Sequence, residues 1–359
     1  MTVREAMIVA GGAGTRLRPL TAVTPKPLLE FCGDPFLLGV IRRLAAVGVQ
    51  RVLLIVGADT QPFEVLSDAT ADLAVEIELV PEPVPLDTAG GVRSALDRVS
   101  GTFLVLNGDV LTDLDLTALV GHHRARGSAV TIALTRVEDT STYGVCVLED
   151  GRVVGFVEKP RAGELPGHDT VNAGTYVIEP SALERFPAGP LSFERTVFPA
   201  LVDAGVPVEG VATDAVWADL GTPQRMLGGH RLVLDGAMQW PGTWALDGIT
   251  VRGTATVDPS ATLVAPVLLC DGAHVAAGAR VGPGVVVGPA GAVGPGVVLT
   301  DSVLGAGARV AASADRLLTG PGACVEVGAR IGRGVVLGDH VVVSGGEVLD
   351  DEARRPEQA

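Results

Sequence analysis

The sequence predicts an α/β chain in two parts: a doubly wound sheet of mixed, mostly parallel strands, followed by a left-handed parallel β-helix. Two observations carry this. Short apolar, β-branched runs alternate with helical patterns over the first 235 or so residues, and a six-residue apolar period takes over after Trp244. A third agrees with them: 47 glycines and 24 prolines in 359 residues exceed the usual combined share of about 12%.

The elements follow in order. Runs at 6–10, 51–56, 75–79 and 102–106 are short, apolar and bounded by turn residues, so they read as buried strands. Phe36–Ala46, 88–99 and Leu116–Arg126 carry helical spacing between and after them. Further strands are expected at 129–135, 145–148, 153–157 and 173–178. A sheet wound this way binds ligands beyond the carboxyl ends of its strands. In the second part, Val251, Val257, Leu263, Leu269, Val275, Val281, Val287, Val293 and Leu299 keep one register. The phase slips by one at Leu304, runs to Val310, loosens into a loop-like stretch, and resumes at Val325, Ile331, Leu337 and Val343. Three hexads make one coil of a left-handed β-helix, with the repeated apolar residue pointing inward.

Composition narrows the functional classes. A net charge of −15, from 27 basic against 42 acidic residues, argues against a nucleic-acid binder. The most apolar region, 281–299, is broken by glycine and proline, so no membrane-spanning helix is expected, and the N-terminus has no apolar export signal. Cys32, Cys146, Cys270 and Cys324 are too scattered for a disulfide framework or a zinc site, which fits a cytoplasmic protein. Only two of the 27 basic residues are lysines, Lys26 and Lys159. In so arginine-rich a chain, these mark positions where a compact ammonium on a flexible stem is needed.

The first strand runs into Gly11-Gly12-Ala13-Gly14-Thr15-Arg16. A glycine-rich turn at this place lets backbone amides approach a phosphate or nucleotide. It is neither a Walker loop, which ends in Gly-Lys-Ser/Thr, nor a dinucleotide fingerprint, which needs glycine where Leu17 stands. The run continues through Thr24-Pro25-Lys26-Pro27. Four later segments follow: Leu106-Asn107-Gly108-Asp109, Phe156-Val157-Glu158-Lys159-Pro160, Val171-Asn172-Ala173-Gly174 and Trp217-Ala218-Asp219-Leu220-Gly221-Thr222.

Together, in this order over about 220 residues, these segments resemble the signature of the sugar-1-phosphate nucleotidyltransferases, the NDP-sugar pyrophosphorylases. With its β-helix the chain is most similar to their mannose-1-phosphate guanylyltransferase and glucose-1-phosphate adenylyltransferase branches. The resemblance implies a Rossmann-like sheet of the nucleotide-diphospho-sugar transferase type. It implies a catalytic domain over 1–235, a linker at 236–249, the β-helix over 250–346 and a charged tail at 347–359.

The resemblance also assigns residues. Arg16, Lys26 and Asp109 are the expected catalytic residues. Gly11, Gly12, Gly14, Thr15, Glu82, Asp87, Thr88 and Gly91 are expected at the nucleotide. Tyr143, Gly144, Glu158, Lys159, Asn172 and Gly174 are expected at the sugar phosphate, and Asp109 and Asp219 at Mg²⁺. Chemistry agrees with these roles. A phosphate oxygen with its second pKa near 6 is already ionised at neutral pH, so the reaction needs no general base. It needs positive charge and alignment to bring an anion onto an anionic triphosphate. Asp87 departs from the family, which has glycine there; its carboxylate would contact base or ribose, repel phosphate, or cap the helix at Thr88.

The expected reaction joins an NTP, GTP favoured, to a sugar 1-phosphate of the mannose type, giving NDP-sugar and pyrophosphate. Alternatives are a guanylyltransferase for a cyclitol phosphate such as valienol 1-phosphate, a thymidylyl-, adenylyl- or uridylyltransferase for glucose 1-phosphate, and a non-catalytic nucleotide-sugar sensor. An acyltransferase built on the β-helix would need a histidine, and the repeat region has only His274 and His340. No nucleic-acid or membrane partner is expected. A homo-oligomer formed through the β-helix is.

Overall fold

The computed structural model describes residues 3–161, 164, 167–241 and 248–356. It divides into two compact units, Met1–Gly12 with Val40–Trp217, and Ala13–Gly39 with Ala218–Ala359. This differs from a boundary near residue 235. The signature segment 13–39 groups with the β-helix, not with the sheet.

The first unit is built on nine strands: β1 Glu5–Val9, β2 Arg51–Gly57, β3 Glu76–Glu82, β4 Phe103–Asn107, β5 Val130–Arg136, β6 Gly144–Glu149, β7 Arg152–Glu158, β8 Thr170–Ile178 and β9 Val208–Ala212. Their order is β3-β2-β1-β4-β8-β5-β9-β7-β6. The β3, β2, β1 and β4 block is parallel, and β8 joins it antiparallel, so the sheet is mixed as expected. Helices α1 Phe36–Ala46, α2 Asp87–Ser94 and α3 Leu116–Arg126 lie close to the predicted spans. The 88–99 pattern divides into α2 and a 3₁₀ turn at Leu96–Arg98. Met7, Leu53, Ile55, Val105, Ile132, Tyr176 and Phe198 form the core, which places the carboxyl ends of β1 to β4 at the sheet's edge, where loops can carry polar groups.

In the second unit the hexads wind as predicted. Ile249 pairs in parallel with Val267, and Val267 with Val285, three hexads per coil. The strands form the faces of a parallel β-helix whose buried interior includes Val275, Val281, Val287, Leu299, Val325 and Leu337. Val251 and Val257 remain 49% and 36% exposed, because the first coil has a neighbour on one side only. The loosened stretch is not a loop. Leu299 pairs with Ala314 and Val303 with Leu318, so one coil is drawn tighter and the stack continues. Strands Val348–Leu349 and Arg354–Arg355 carry it through the segment expected as a charged tail, whose last residues, 357–359, lie outside the described residues.

Of the expected linker, 242–247 lie outside the described residues. Before them, helix α4, Pro223–Leu234, leads to a buried Trp240. Its ring stacks on Phe36 at 5.1 Å, and Gly39 is required there, since a Cβ would come within 2.4 Å of the indole.

One buried acid makes the second unit sensitive to pH. The Glu30 carboxyl accepts the Ala306 amide at 2.8 Å, and its other oxygen is buried without a hydrogen-bond partner among the described residues. Burial pushes its pKa from 4.5 up to about 7. The folded chain therefore holds a proton that the unfolded chain releases above pH 4.5, so this group's contribution to stability falls as pH rises to about 7. Glu30→Gln should raise the thermal midpoint at pH 8 and leave it nearly unchanged at pH 4.5, by up to ~3 kcal/mol of stability at the higher pH. Equal effects at both pH values would contradict the buried ionisation.

Candidate active site

The second unit gathers four charged side chains. Gly14 sits at φ +57, and a Cβ there would lie 3.0 Å from Thr21 Cγ2 and 3.2 Å from Lys26 Cβ. The Thr21 hydroxyl donates to the Gly14 carbonyl at 2.8 Å. The glycine thus folds the loop tightly enough to bring 3₁₀ turns Thr15–Leu17 and Lys26–Leu28 together. Asp219 receives the result. Lys26 Nζ is 3.7 Å from Asp219 Oδ1, Arg16 is 3.9 Å from Oδ2, and Arg225 donates to Oδ2 at 2.6 Å. Lys26 is 10% exposed and Arg16 64%, so one cation is fixed and the other reaches into solvent. Gly221 leaves them room: a Cβ there would sit 2.7 Å from Arg16 Nη2. Thr222 caps α4 through the Arg225 amide, which sets Arg225 one turn beyond Asp219.

The β-helix itself holds the signature segment, at four points. Arg354 Nη1 donates to the carbonyls of Arg16 and Arg18 at 2.8 and 3.2 Å. Thr24 donates to Asp339, Ala306 donates to Glu30, and Arg252 donates to the Cys32 carbonyl and to Asp34. His274 and His340 stand exposed on the coils.

In the first unit the residues expected at the nucleotide and at the sugar phosphate lie at strand ends. Gly11 and Gly12 follow β1. Gly108, after β4, donates its amide to Val9 O at 2.9 Å, and a Cβ there would meet the same oxygen at 2.9 Å. Asp109 follows directly. Glu82 ends β3, 8% exposed. Its carboxyl lies against two glycines: a Cβ at Gly91 would sit 2.2 Å from Oε1, and one at Gly11 would sit 3.1 Å from Oε2. Oε1 has no hydrogen-bond partner among the described residues, and burial holds the carboxyl above the ordinary range.

Asp87 opens α2 at φ +66, a conformation that glycine adopts freely and aspartate tolerates. Its carboxylate accepts the Thr88 amide at 2.8 Å and pairs with Arg195. The Thr88 hydroxyl donates to Glu194 and accepts from the Phe193 amide. Both side chains are engaged within the unit.

The residues expected at the sugar phosphate also meet. Tyr143 packs edge-on to Trp217 at 5.4 Å, and the indole donates to Ala173 O at 3.0 Å. Lys159 donates its amide to Tyr143 O, and its ammonium lies 3.2 Å from Glu158. Asn172 donates to the Tyr176 hydroxyl and accepts the Gly174 amide. Gly174, at φ +72, lies against Asn107 where a Cβ would be 2.6 Å from the amide nitrogen.

Residues 5–236 match the family described as nucleotidyl transferase. This chain belongs to that family. Mannose-1-phosphate guanylyltransferase of Mycobacterium tuberculosis is 38% identical over 297 residues, 76% of this chain and 81% of that one. The mannose-1-phosphate guanylyltransferase catalytic subunit beta of Drosophila pseudoobscura pseudoobscura is 40% identical, over 72% of this chain and 70% of its own. Among solved structures, HddC from Yersinia pseudotuberculosis complexed with GMP-PN is similar at TM-score 0.55 and 27% identity, over 64% of this chain and 99% of that one. An inositol-1-phosphate CTP transferase from T. maritima, at 23% identity and TM-score 0.54, covers 63% of this chain and 92% of its own and shares the fold.

In this nucleotidyl transferase two residues of the second unit that the motifs did not single out stand beside the Asp219 cluster: Arg225 and Arg354. Arg225 was findable in principle, six residues after Asp219 and one turn into a Pro-initiated helix. Arg354 lies too far along the chain for any spacing to signal it. No helix among the described residues is long and apolar enough to cross a membrane.

Proposed function

We propose that the protein transfers GMP from GTP to a mannose-type sugar 1-phosphate, releasing pyrophosphate. The observation that carries the reaction class is the convergence of Lys26, Arg16 and Arg225 on Asp219. Three cations on one carboxylate, at the end of a glycine-rich loop, form a cradle for phosphoryl oxygens. A sugar-phosphate oxygen attacks the α-phosphorus in line, a new P–O bond forms, and the bond to the β-phosphate oxygen breaks. Arg16, the exposed cation, takes the β- and γ-phosphates and the departing pyrophosphate. Lys26 spans the α-phosphate and the incoming phosphate, while Lys159 holds the sugar phosphate.

Asp109 and Asp219 would hold Mg²⁺. Among the described residues no group of three or more carboxylate, histidine or cysteine side chains is arranged for a metal. Mg²⁺ commonly takes one or two carboxylates plus water and phosphate oxygens, so a pair of aspartates beside the triphosphate would suffice. Its chemistry would be neutralisation of charge on the triphosphate.

Glu82 supports guanine as the base. An ionised carboxylate only accepts hydrogen bonds. Guanine presents two adjacent donors, N1–H and the 2-amino group, whereas the pairing edges of adenine, cytosine and uracil or thymine have no two neighbouring donor groups. Gly11 and Gly91 let the Glu82 carboxyl lie close against the backbone at the end of β3, and its Oε1 has an acceptor site that no side chain or amide among the described residues fills. Asp87, paired with Arg195, gives no reason to prefer a cyclitol.

The test is a matrix of five NTPs against several sugar and cyclitol 1-phosphates, read by pyrophosphate release with Mg²⁺, in wild type and Glu82→Gln. GTP with mannose 1-phosphate should be the best pair. In Glu82→Gln the preference for GTP over ATP should fall by about 10- to 100-fold. The wild-type KM for GTP should rise as pH drops through the raised Glu82 pKa, and this rise should vanish in the variant. Unchanged base preference in Glu82→Gln would refute the assignment of guanine, and nucleotide binding without pyrophosphate release would favour the sensor.

A further inference from the structure

We propose that a cavity between α4 and the β-helix coils is a second binding site, for a small phosphate ester of a polyhydroxy compound, linked to turnover. The cavity has a volume of about 490 Å³, within the range of sites that take a hexose phosphate. Its charged lining is balanced: Arg231, Arg316 and Arg333 face Asp301, Asp351 and Glu352.

The guanidiniums are not equally committed. Arg231 donates to Asp235 at 2.8 Å and to Asp301 at 2.9 Å, and Gly284 makes room for that pair, since a Cβ there would lie 2.2 Å from Arg231 Nη1. Arg333 pairs with Asp315 at 2.9 Å. The Arg316 side chain has no hydrogen-bond or ion-pair partner among the described residues. Its backbone is held at φ +56, a strained conformation that such a residue keeps only where its surroundings impose it.

This lining selects a ligand class. Guanidiniums fork onto a phosphate, and Arg316 is the one ready to do so. Carboxylates accept from hydroxyls and repel further negative charge, so Asp301, Asp351 and Glu352 suit a polyol and oppose a triphosphate. An ester with one phosphate and several hydroxyls satisfies both sets.

Two walls of the cavity lead to the catalytic cations. Helix α4 contributes Arg231 to the cavity and, from its first turn, Arg225 to Asp219. On the other side, Asp351 and Glu352 precede Arg354, which holds the carbonyls of Arg16 and Arg18. A ligand that moves either wall shifts a catalytic charge. This link, though not the binding, rests on the function proposed above.

The test uses the full chain. Glucose 6-phosphate and inorganic phosphate are titrated calorimetrically into wild type, the double variant Arg316→Ala/Arg333→Ala, and Lys159→Ala. Arg316 and Arg333 are exposed, so the double variant should fold, and an unshifted thermal midpoint checks it. Arg316→Lys, which keeps the charge, should retain part of the affinity. Glucose 6-phosphate should bind wild type and Lys159→Ala alike and bind the double variant about 10-fold more weakly or worse. Inorganic phosphate should bind at least about 10-fold more weakly than the ester. Saturating glucose 6-phosphate should shift the KM for GTP by about 5-fold in wild type and not in the double variant. No binding to wild type at about 10 mM, or binding that Lys159→Ala abolishes and the double variant keeps, overturns the site. Equal affinity for inorganic phosphate overturns the ligand class. Binding without a shift in KM overturns the link, whereas binding in a protein that turns over no NTP sinks the proposed reaction and leaves the site standing.

Discussion

Lys26→Arg should lower kcat by about 100-fold, close to 3 kcal/mol of transition-state stabilisation, while the thermal midpoint stays near that of wild type. The charge is unchanged by this substitution, so only shape is tested. Lys26 is 10% exposed, its Cβ is boxed by Gly14, and its ammonium stands 3.7 Å from Asp219 beside two guanidiniums. An ammonium can rotate its three donors onto two different phosphates, whereas a planar fork in the same slot is directed at one partner and is bulkier. Misplacing the charge by an ångström costs alignment in a reaction that depends on it. Pyrophosphate release under saturating substrates measures kcat. A variant retaining more than about a third of wild-type kcat would remove Lys26 from the reacting phosphates and, with it, the significance of the lysine count.

The two lysines were legible because the chain is otherwise so rich in arginine; the same richness conceals Arg225 and Arg354. With 25 arginines to choose from, nothing in local spacing separates the one that meets Asp219 from those that pair on the surface. The hexads were legible for a different reason. A coil needs three inward positions, and a valine or leucine at each leaves a period that survives even where one coil is shortened between Leu299 and Ala314. The sequence could not show that this shortened coil stays in the stack, because glycine- and alanine-rich residues pair through their backbones without an apolar mark. Asp87 was ambiguous in the same way. At its positive φ a glycine would fit without strain, yet the partner that absorbs the aspartate's charge, Arg195, is 108 residues away. The role of the β-helix in holding residues 13–39 was equally hidden, since every one of its contacts joins positions more than 200 residues apart.

Asp219→Asn should have the larger effect, a fall in kcat/KM of about 1,000-fold, or ~4 kcal/mol. Two losses combine. The amide is a poor Mg²⁺ ligand, so the Mg²⁺ concentration for half-maximal rate should rise at least about 10-fold. The variant also leaves Lys26, Arg16 and Arg225 facing one another without the carboxylate that now neutralises them, and their mutual repulsion should spread the cradle. These contributions separate experimentally. Excess Mg²⁺ can restore only the first, so kcat should recover partially and level off below wild type. Pyrophosphate, which supplies the missing negative charge, should bind the metal-free variant more tightly than it binds metal-free wild type. If Asp219 served only as a helix-capping or turn residue, the Mg²⁺ requirement would not move and metal-free pyrophosphate affinity would not rise relative to wild type. A kcat/KM within about 10-fold of wild type at unchanged Mg²⁺ demand would take Asp219 out of the reaction, and the convergence of three cations on it would then be a purely structural ion cluster.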